Sequence, residues 1–258
     1  MQSKNNKFFS AVMAIAVIGV LFFYYKHRAN QSAALVPEQL TTNSIPETPA
    51  VPSQNNSGNP TTSNPPATNQ VLLKIPFTSQ APTGNWDTLH NEACEEAAAI
   101  MANAYLTGDT RATLPASEVE KQIGTLTDWQ QKNFGYNLDT TAAETAKFIE
   151  AVYGLKTKIV SDYTESDLKM ELAAGHPVIL PVNGQLIGNP YYKQPGPIYH
   201  MLLVRGYTAT KIITNDSGTR HGENYLYSFN TLSNAAADWN HSTNTIDSSK
   251  KVMIVVYK

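Results

Sequence analysis

An α+β domain is predicted for residues 70–258, with a helical first half packed on an antiparallel sheet that the second half supplies. Two observations predict it. Apolar residues recur at 3- and 4-residue spacing up to about position 175. Beyond that point come short runs rich in Val, Ile, Leu and Tyr, bounded by turn formers, which read as strands. Helices followed by strands indicate segregated layers rather than the alternation of a parallel α/β sheet. The first 69 residues show neither pattern and divide into an apolar run and a polar, proline-rich stretch.

The apolar run covers positions 8–25 and is broken only by Ser10. Its 18 residues are about what a helix needs to cross a bilayer core. Lys4 and Lys7 precede it, and Lys26 and Arg28 follow at once. A cleaved signal peptide has a shorter core and a nearby small-residue cleavage site. The best candidate here, Ser32-Ala33-Ala34, is distant, so residues 1–28 are read as an uncleaved single-pass anchor in the cytoplasmic membrane. Positive charge on both flanks sets orientation weakly; the expected outcome puts the folded domain on the extracytoplasmic side. Residues 29–69 hold seven of the 15 prolines, among Ser, Thr, Asn and Gln. Such a composition cannot bury enough apolar surface to offset its ordering entropy. It is expected to be a disordered stalk with an average reach on the order of 35 Å.

Within the domain, positions 71–77 read as a short strand and 79–90 as irregular chain. Residues 93–106 form a helix with Ala97, Ile100, Met101 and Ala104 on one face and Gly108 as its stop. Val119, Ile123 and Leu126 place a helix over 117–132. A further helix covers 139–153, ended by Gly154. Thr164 with Asp167 makes a capping box before Leu168, Met170 and Leu172, and Gly175 closes that helix. Strands follow at 177–182, 199–207, 211–214, 225–229 and 252–257. No internal repeat is present.

Composition excludes several functions. The domain carries 15 Lys plus Arg against 19 Asp plus Glu, a net charge of −4 with no basic cluster, which argues against nucleic acid. A single cysteine rules out an internal disulfide, and a domain of this size needs none. No histidine pair has zinc-like spacing and one thiol cannot build a thiolate cage, so neither metal nor cofactor is expected.

That cysteine, Cys94, opens its helix. A thiolate there is favoured by the helix's positive end, although Glu95 and Glu96 oppose ionisation. His200 begins the strand-like run Tyr199-His200-Met201-Leu202-Leu203-Val204. Asp216 ends the next one. The order Cys, His, Asp suits nucleophilic catalysis by a thiol, with the acid holding the imidazole tautomer. Asn215 is the rival orienter. Alternation along a strand points the two to opposite faces; a carboxylate stabilises imidazolium better, which favours Asp216. Gln80 lies upstream as a candidate oxyanion donor beside the Cys94 N–H.

Taken together these stretches resemble the C39-like cysteine peptidases, a papain-like family. Ile75-Pro76-Phe77-Thr78-Ser79-Gln80-Ala81-Pro82 is similar to its opening strand and Gln. Ala93-Cys94-Glu95-Glu96-Ala97 is similar to its nucleophile helix, and Gly175-His176-Pro177-Val178-Ile179 to the entry of its central sheet. Tyr199 to Tyr207 resembles its His strand, and Asn215-Asp216-Ser217-Gly218 its "N-D-P-G" segment. The resemblance implies a papain-like fold, Cys94 as nucleophile, His200 as acid and base, Asp216 as orienter and Gln80 as oxyanion donor. Two departures stand out. Gln80 and Cys94 are 14 positions apart, a longer gap than is common in the family, and Ser217 stands where it often has Pro. The insert adds Trp86, which with Glu95 and Tyr192 is expected to contact substrate; the loop 188–199 is expected to overhang the cleft.

The reading is a thiol hydrolase of peptide or amide bonds, held outside the cytoplasmic membrane. Two alternatives stay open. One is acyl transfer at the same residues, with an amine in place of water. The other is a catalytically inactive papain-like binding module. Oligomeric state is not legible.

Overall fold

The computed structural model describes residues 70–258. The expected anchor and stalk lie outside the described residues. Among the described residues, no helix is long and apolar enough to cross a membrane.

The chain runs β1 (Val71–Leu72), α1 (Thr88–Asn91), α2 (Cys94–Thr107), α3 (Ala116–Asn133), α4 (Ala142–Tyr153), β2 (Lys156–Ser161) and α5 (Glu165–Ala173). It continues with β3 (Val178–Val182), β4 (His200–Tyr207), β5 (Ile212–Asn215), β6 (Tyr225–Tyr227), α6 (Phe229–Ala235), β7 (Asp238–Asn240), β8 (Thr245–Asp247) and β9 (Val252–Tyr257). The predicted α+β class holds. Among the described residues, six helices accompany a seven-stranded antiparallel sheet ordered β2-β9-β3-β4-β5-β6, to whose β4 the short β1 also pairs, and β7 and β8 form a separate two-stranded sheet.

β3, β4 and β5 are buried along their whole length, as their near-continuous apolar runs require. α2 lies against β4 and is itself buried on almost every side. Its small residues Ala97, Ala98, Ala99 and Ala102 allow a close approach to the sheet, while Ile100 and Met101 fill the core. Each such large side chain contributes about 1.5–3 kcal/mol by leaving water. Val119, Ile123 and Leu126 of α3 and Phe148 and Ile149 of α4 complete this layer at the predicted spacing. Gly108 and Gly154 cap α2 and α4 in the left-handed conformation, with φ of 90° and 66°. The Thr164–Asp167 capping box forms as predicted; α4 starts with a second one, Thr141–Glu144.

Several elements differ from expectation, among them the short β7–β8 hairpin, which the sequence reading does not contain. The strand predicted over 71–77 stops at Leu72, because Ile75 N–H turns back to the Leu73 carbonyl and Pro76 has no N–H to offer a ladder. The strand predicted over 225–229 ends at Tyr227: Ser228 accepts from Thr231 N–H at 3.0 Å and starts α6 instead. β2 escaped notice because its Lys-Thr-Lys-Ile-Val-Ser run forms an exposed sheet edge with little apolar alternation. α1 is a single turn inside the segment read as irregular, capped by Asp87.

Candidate active site

The start of β4 is where the candidate residues meet. His200 pairs across the sheet with Val182 of β3, and the β4–β5 hairpin carries Asp216 back to it just past the end of β5. His200 Nε2 and Asp216 Oδ1 are 2.9 Å apart. Both side chains are buried: His200 is 1% and Asp216 0% exposed.

The Asp216 carboxylate is satisfied from five directions. Oδ1 takes the His200 ring nitrogen and the Gly218 N–H at 3.1 Å. Oδ2 accepts from Asn189 Nδ2 at 2.9 Å, Tyr192 Oη at 2.7 Å and Tyr227 Oη at 2.8 Å. Burial on its own raises this carboxyl. The His200 charge and the hydrogen bonds from His200, Tyr192 and Tyr227 outweigh burial and hold it below the usual carboxylate value. Two glycines make room. A Cβ on Gly218 would lie 2.9 Å from Tyr192 Cε1 and 3.0 Å from His200 Cε1; one on Gly222 would lie 1.7 Å from the Asp216 carbonyl oxygen. The segment 218–225, to which sequence reading gives no role, thus closes over the His–Asp pair.

Asn215 points away, as strand alternation predicts. Its Oδ1 accepts from Arg205 Nη1 at 3.2 Å, and its Nδ2 donates to the Ile75 and Pro76 carbonyls at 3.4 and 3.3 Å. It ties the entering chain to the sheet and has no bond to His200.

Cys94 is the first residue of α2 and is 5% exposed. Met201 N–H donates to its sulfur at 3.3 Å, which places the thiol beside the first peptide of the His200 strand. The thiol donates to Glu95 Oε2 at 3.0 Å. Burial, then the Glu95 charge, pushes the Cys94 thiol well above its ordinary value. The helix end therefore does not dominate; desolvation and the neighbouring carboxylate do. His200 Nδ1 makes no hydrogen bond among the described residues.

Glu95 and Tyr192 differ from their expected place at the substrate. Glu95 is 2% exposed, with Oε2 on the thiol and Oε1 on the Thr140 N–H at 3.0 Å. Tyr192 is buried with its hydroxyl on Asp216 and its ring edge-on to His200, centroids 5.5 Å apart. Packing sends both inward because each side chain finds its partner in the core. Glu96 turns toward α3, where Gln130 Nε2 donates to its Oε1, and burial lifts its carboxyl to about 7. Trp86 does stay accessible, at 43% exposure.

Gln80 is buried near the thiol's helix. Its Nε2 donates to the carbonyls of His90 at 2.9 Å and Asn91 at 3.1 Å, and its backbone N–H donates to the Ser217 carbonyl at 3.0 Å. It joins the segment before Cys94 to the segment after Asp216. His90 is clamped in turn, with Nδ1 2.7 Å from Asp87 Oδ1 and Nε2 2.8 Å from Glu120 Oε2.

Asn189, Tyr227 and Thr140 are the site residues that sequence reading missed. Tyr227 carried only a weak signal, since alternation along β6 puts it on one face with Tyr225, opposite Leu226; Asn189 and Thr140 sit in loops and carried none. Among the described residues, no group of three or more His, Cys, Asp or Glu side chains is arranged to hold a metal ion.

A buried thiol at a helix start lies beside the first peptide of a strand that opens with a carboxylate-held histidine, which is compatible with a cysteine-peptidase site. The family comparison agrees: the chain belongs to the Peptidase_C39 like family, whose model matches residues 72–246. A crystal structure of a candidate C39-like peptidase from Bacillus anthracis is similar at a TM-score of 0.45 and 14% identity, over 73% of this chain and 98% of that one. No curated protein sequence gives a significant match.

Proposed function

We propose that the protein is a thiol hydrolase of peptide or amide bonds acting through Cys94, His200 and Asp216. The single observation that carries this reading is the pairing of His200 Nε2 with a carboxylate bound by four further donors. That pairing orients the ring and leaves Nδ1 as the working nitrogen. Cys94 attacks the carbonyl. The Cys94 N–H, in the first turn of α2, faces the oxyanion, together with Gln80 once its Nε2 exchanges one of its carbonyl bonds for the substrate. His200 protonates the leaving amine and then activates water against the thioester. The reaction needs no cofactor. Trp86 is retained as a substrate contact because it is exposed on the segment leading to Cys94. The apolar run at positions 8–25 supports attachment to the cytoplasmic membrane with this domain outside it. An added amine in place of water would give acyl transfer at the same residues.

A second reading has a specific observation behind it. The depth of Cys94 and its bond to Glu95 also suit an inactive binding module. A mixed fluorogenic peptide library separates the two. Hydrolysis by the native chain that vanishes in Cys94→Ala and His200→Ala is the expected outcome. Hydrolysis absent from the native chain, or unchanged in Cys94→Ala, would sink the hydrolase reading.

A further inference from the structure

Two segments cover the His200–Asp216 pair, and each turns one residue to the pair and a close neighbour to solvent. On the loop 188–199, Tyr192 sets its ring edge-on to His200, while Tyr191 is 51% exposed. After Asp216, Gly218 fits against the same two rings with no room for a Cβ, while Arg220 and His221 are exposed. The outward residues meet. The Tyr191 and His221 ring centroids are 4.7 Å apart, and Tyr225 meets Tyr191 edge-on at 6.2 Å. Arg220 Nε donates to His221 Nε2 at 3.1 Å. An aromatic and cationic patch therefore lies on the outer side of the two segments that close over the histidine.

Arg220 differs from the other arginines of the domain in what it binds. Arg111 holds Asp109 and Glu118. Arg205 is buried on the Leu73 carbonyl and Asn215, with Glu223 3.9 Å away. Arg220 has no carboxylate, and among the described residues its Nη1 and Nη2 have no partner. Such a fork matches a carboxylate with two parallel hydrogen bonds. Its mount is preorganised. Asp216 N–H donates to the Gly222 carbonyl at 2.9 Å, Gly222 N–H to the Thr219 carbonyl at 3.3 Å, and His221 N–H to Thr219 Oγ1 at 3.2 Å. Tyr191 N–H donates at 3.0 Å to Oδ1 of Asn189, whose Nδ2 is on Asp216. Both halves of the patch are thus fastened to the residue that orients the histidine, and little order is lost when a ligand binds them.

We propose that Arg220, with Tyr191 and His221, forms a subsite for a carboxylate of a peptide substrate, either an Asp or Glu side chain or a free C-terminus. That the ligand is a substrate rests on the hydrolase reading above; the recognition of a carboxylate does not. Arg220 Nη1 and Nη2 donate to the two carboxylate oxygens, and the exposed Tyr191 ring offers an apolar face to the adjoining carbons. The subsite lies on the His200 side of the site, whereas Trp86 belongs to the segment that enters Cys94. The domain carries more acids than bases and no basic cluster, so this fork is a local feature and not part of a general basic surface.

The test is binding to the immobilised full chain carrying Cys94→Ala. Four pools of N-acetylated peptides, random in their neutral residues, have Glu or Gln at the centre and a free or an amidated C-terminus. Retention about fivefold greater for Glu than for Gln in the amidated pools assigns the subsite to an acidic side chain. The same gain for the free acid over the amide in the Gln pools assigns it to a C-terminus. Either preference is expected to shrink as salt is raised, to vanish in Arg220→Gln and to persist in part in Arg220→Lys. Arg220 is exposed, so both variants are expected to fold. Equal retention of all four pools, or a preference that survives Arg220→Gln, overturns the proposal. Because the readout is binding, a native chain that hydrolyses no peptide would remove the substrate role and leave the carboxylate subsite standing.

Discussion

The domain holds two buried carboxylates, Asp216 beside the histidine and Glu95 beside the cysteine, that are opposite in behaviour. Asp216 collects five donors, among them a histidine, and its pKa falls although burial alone would raise it. Glu95 collects two, one of them a thiol, and its pKa climbs. Both are essentially without solvent. Burial therefore does not set the charge state; the number and kind of donors that replace water do. One carboxylate is held ionised by its donors, and the other, with fewer donors, accepts the thiol's hydrogen bond and is pushed toward its protonated form.

The comparison breaks most severely at Asp216. Asp216→Ala leaves His200 Nε2, Tyr192 and Tyr227 without that acceptor, and Asn189 with Tyr227 Oη alone. A loss of about 3–5 kcal/mol is expected, read from urea unfolding. Any remaining hydrolysis should fall on the order of 10³–10⁴-fold as the imidazole loses its orientation. A variant as stable as the native chain would mean that the five-donor cage is not a source of stability.

Gly218→Ala is next. Its methyl meets the Tyr192 and His200 rings at 2.9 and 3.0 Å, with a cost of about 1–3 kcal/mol from overpacking. On the proposed mechanism the effect is expected mainly in kcat, since one of the two rings it meets is the proposed acid–base group. Unchanged kcat would count against the tight closure of this segment over His200.

Tyr227→Phe removes one donor from Oδ2 and is expected to cost about 1.5 kcal/mol. Its sharper signature is in pH. A folded-state pKa held below the unfolded one contributes stability at pH values above the unfolded pKa, and that stability is lost as pH falls through the folded value. With a donor gone, the folded value rises, so the acid unfolding midpoint of Tyr227→Phe should lie at higher pH than that of the native chain. Matching acid midpoints would show that four donors hold Asp216 as well as five.

The smallest effect belongs to His90, on the segment that enters Cys94. Burial lowers its pKa, but hydrogen bonds to Glu120 and Asp87 outweigh this and raise it above 6.5. A raised histidine contributes stability below its unfolded pKa and loses it as pH rises through the folded value. Native stability should thus decline slightly above neutral pH, and Glu120→Gln should flatten that decline, at a cost below about 1 kcal/mol because Glu120 is partly solvated. An identical slope in both proteins would mean that the clamp does not titrate.

Local signals were legible because their physics is local. Helix periodicity, the Thr164–Asp167 box and the glycine stops depend on residues within one or two turns, and the structure has them where they are expected. Cys94, His200 and Asp216 could be singled out by residue type and order, and alternation along one strand separated Asp216 from Asn215. β2 was not legible, because an exposed edge strand has no need of an apolar face. The inward turns of Glu95 and Tyr192 were not legible either. Each is set by a partner that local pattern cannot name: the Thr140 N–H at a separation of 45 positions and Asp216 at 24.

By itself the sequence determined the α+β class, the order of the main helices and central strands, and three side chains suited by type and order to be the candidate site. Only the tertiary structure decided how Cys94 and Asp216 are pushed in protonation. The donors that take the place of water around Asp216 reach across 27, 24, 16 and 11 positions of chain. The thiol finds Met201 across 107. A charge state is a balance of desolvation against donors, and both terms come into being when distant segments pack.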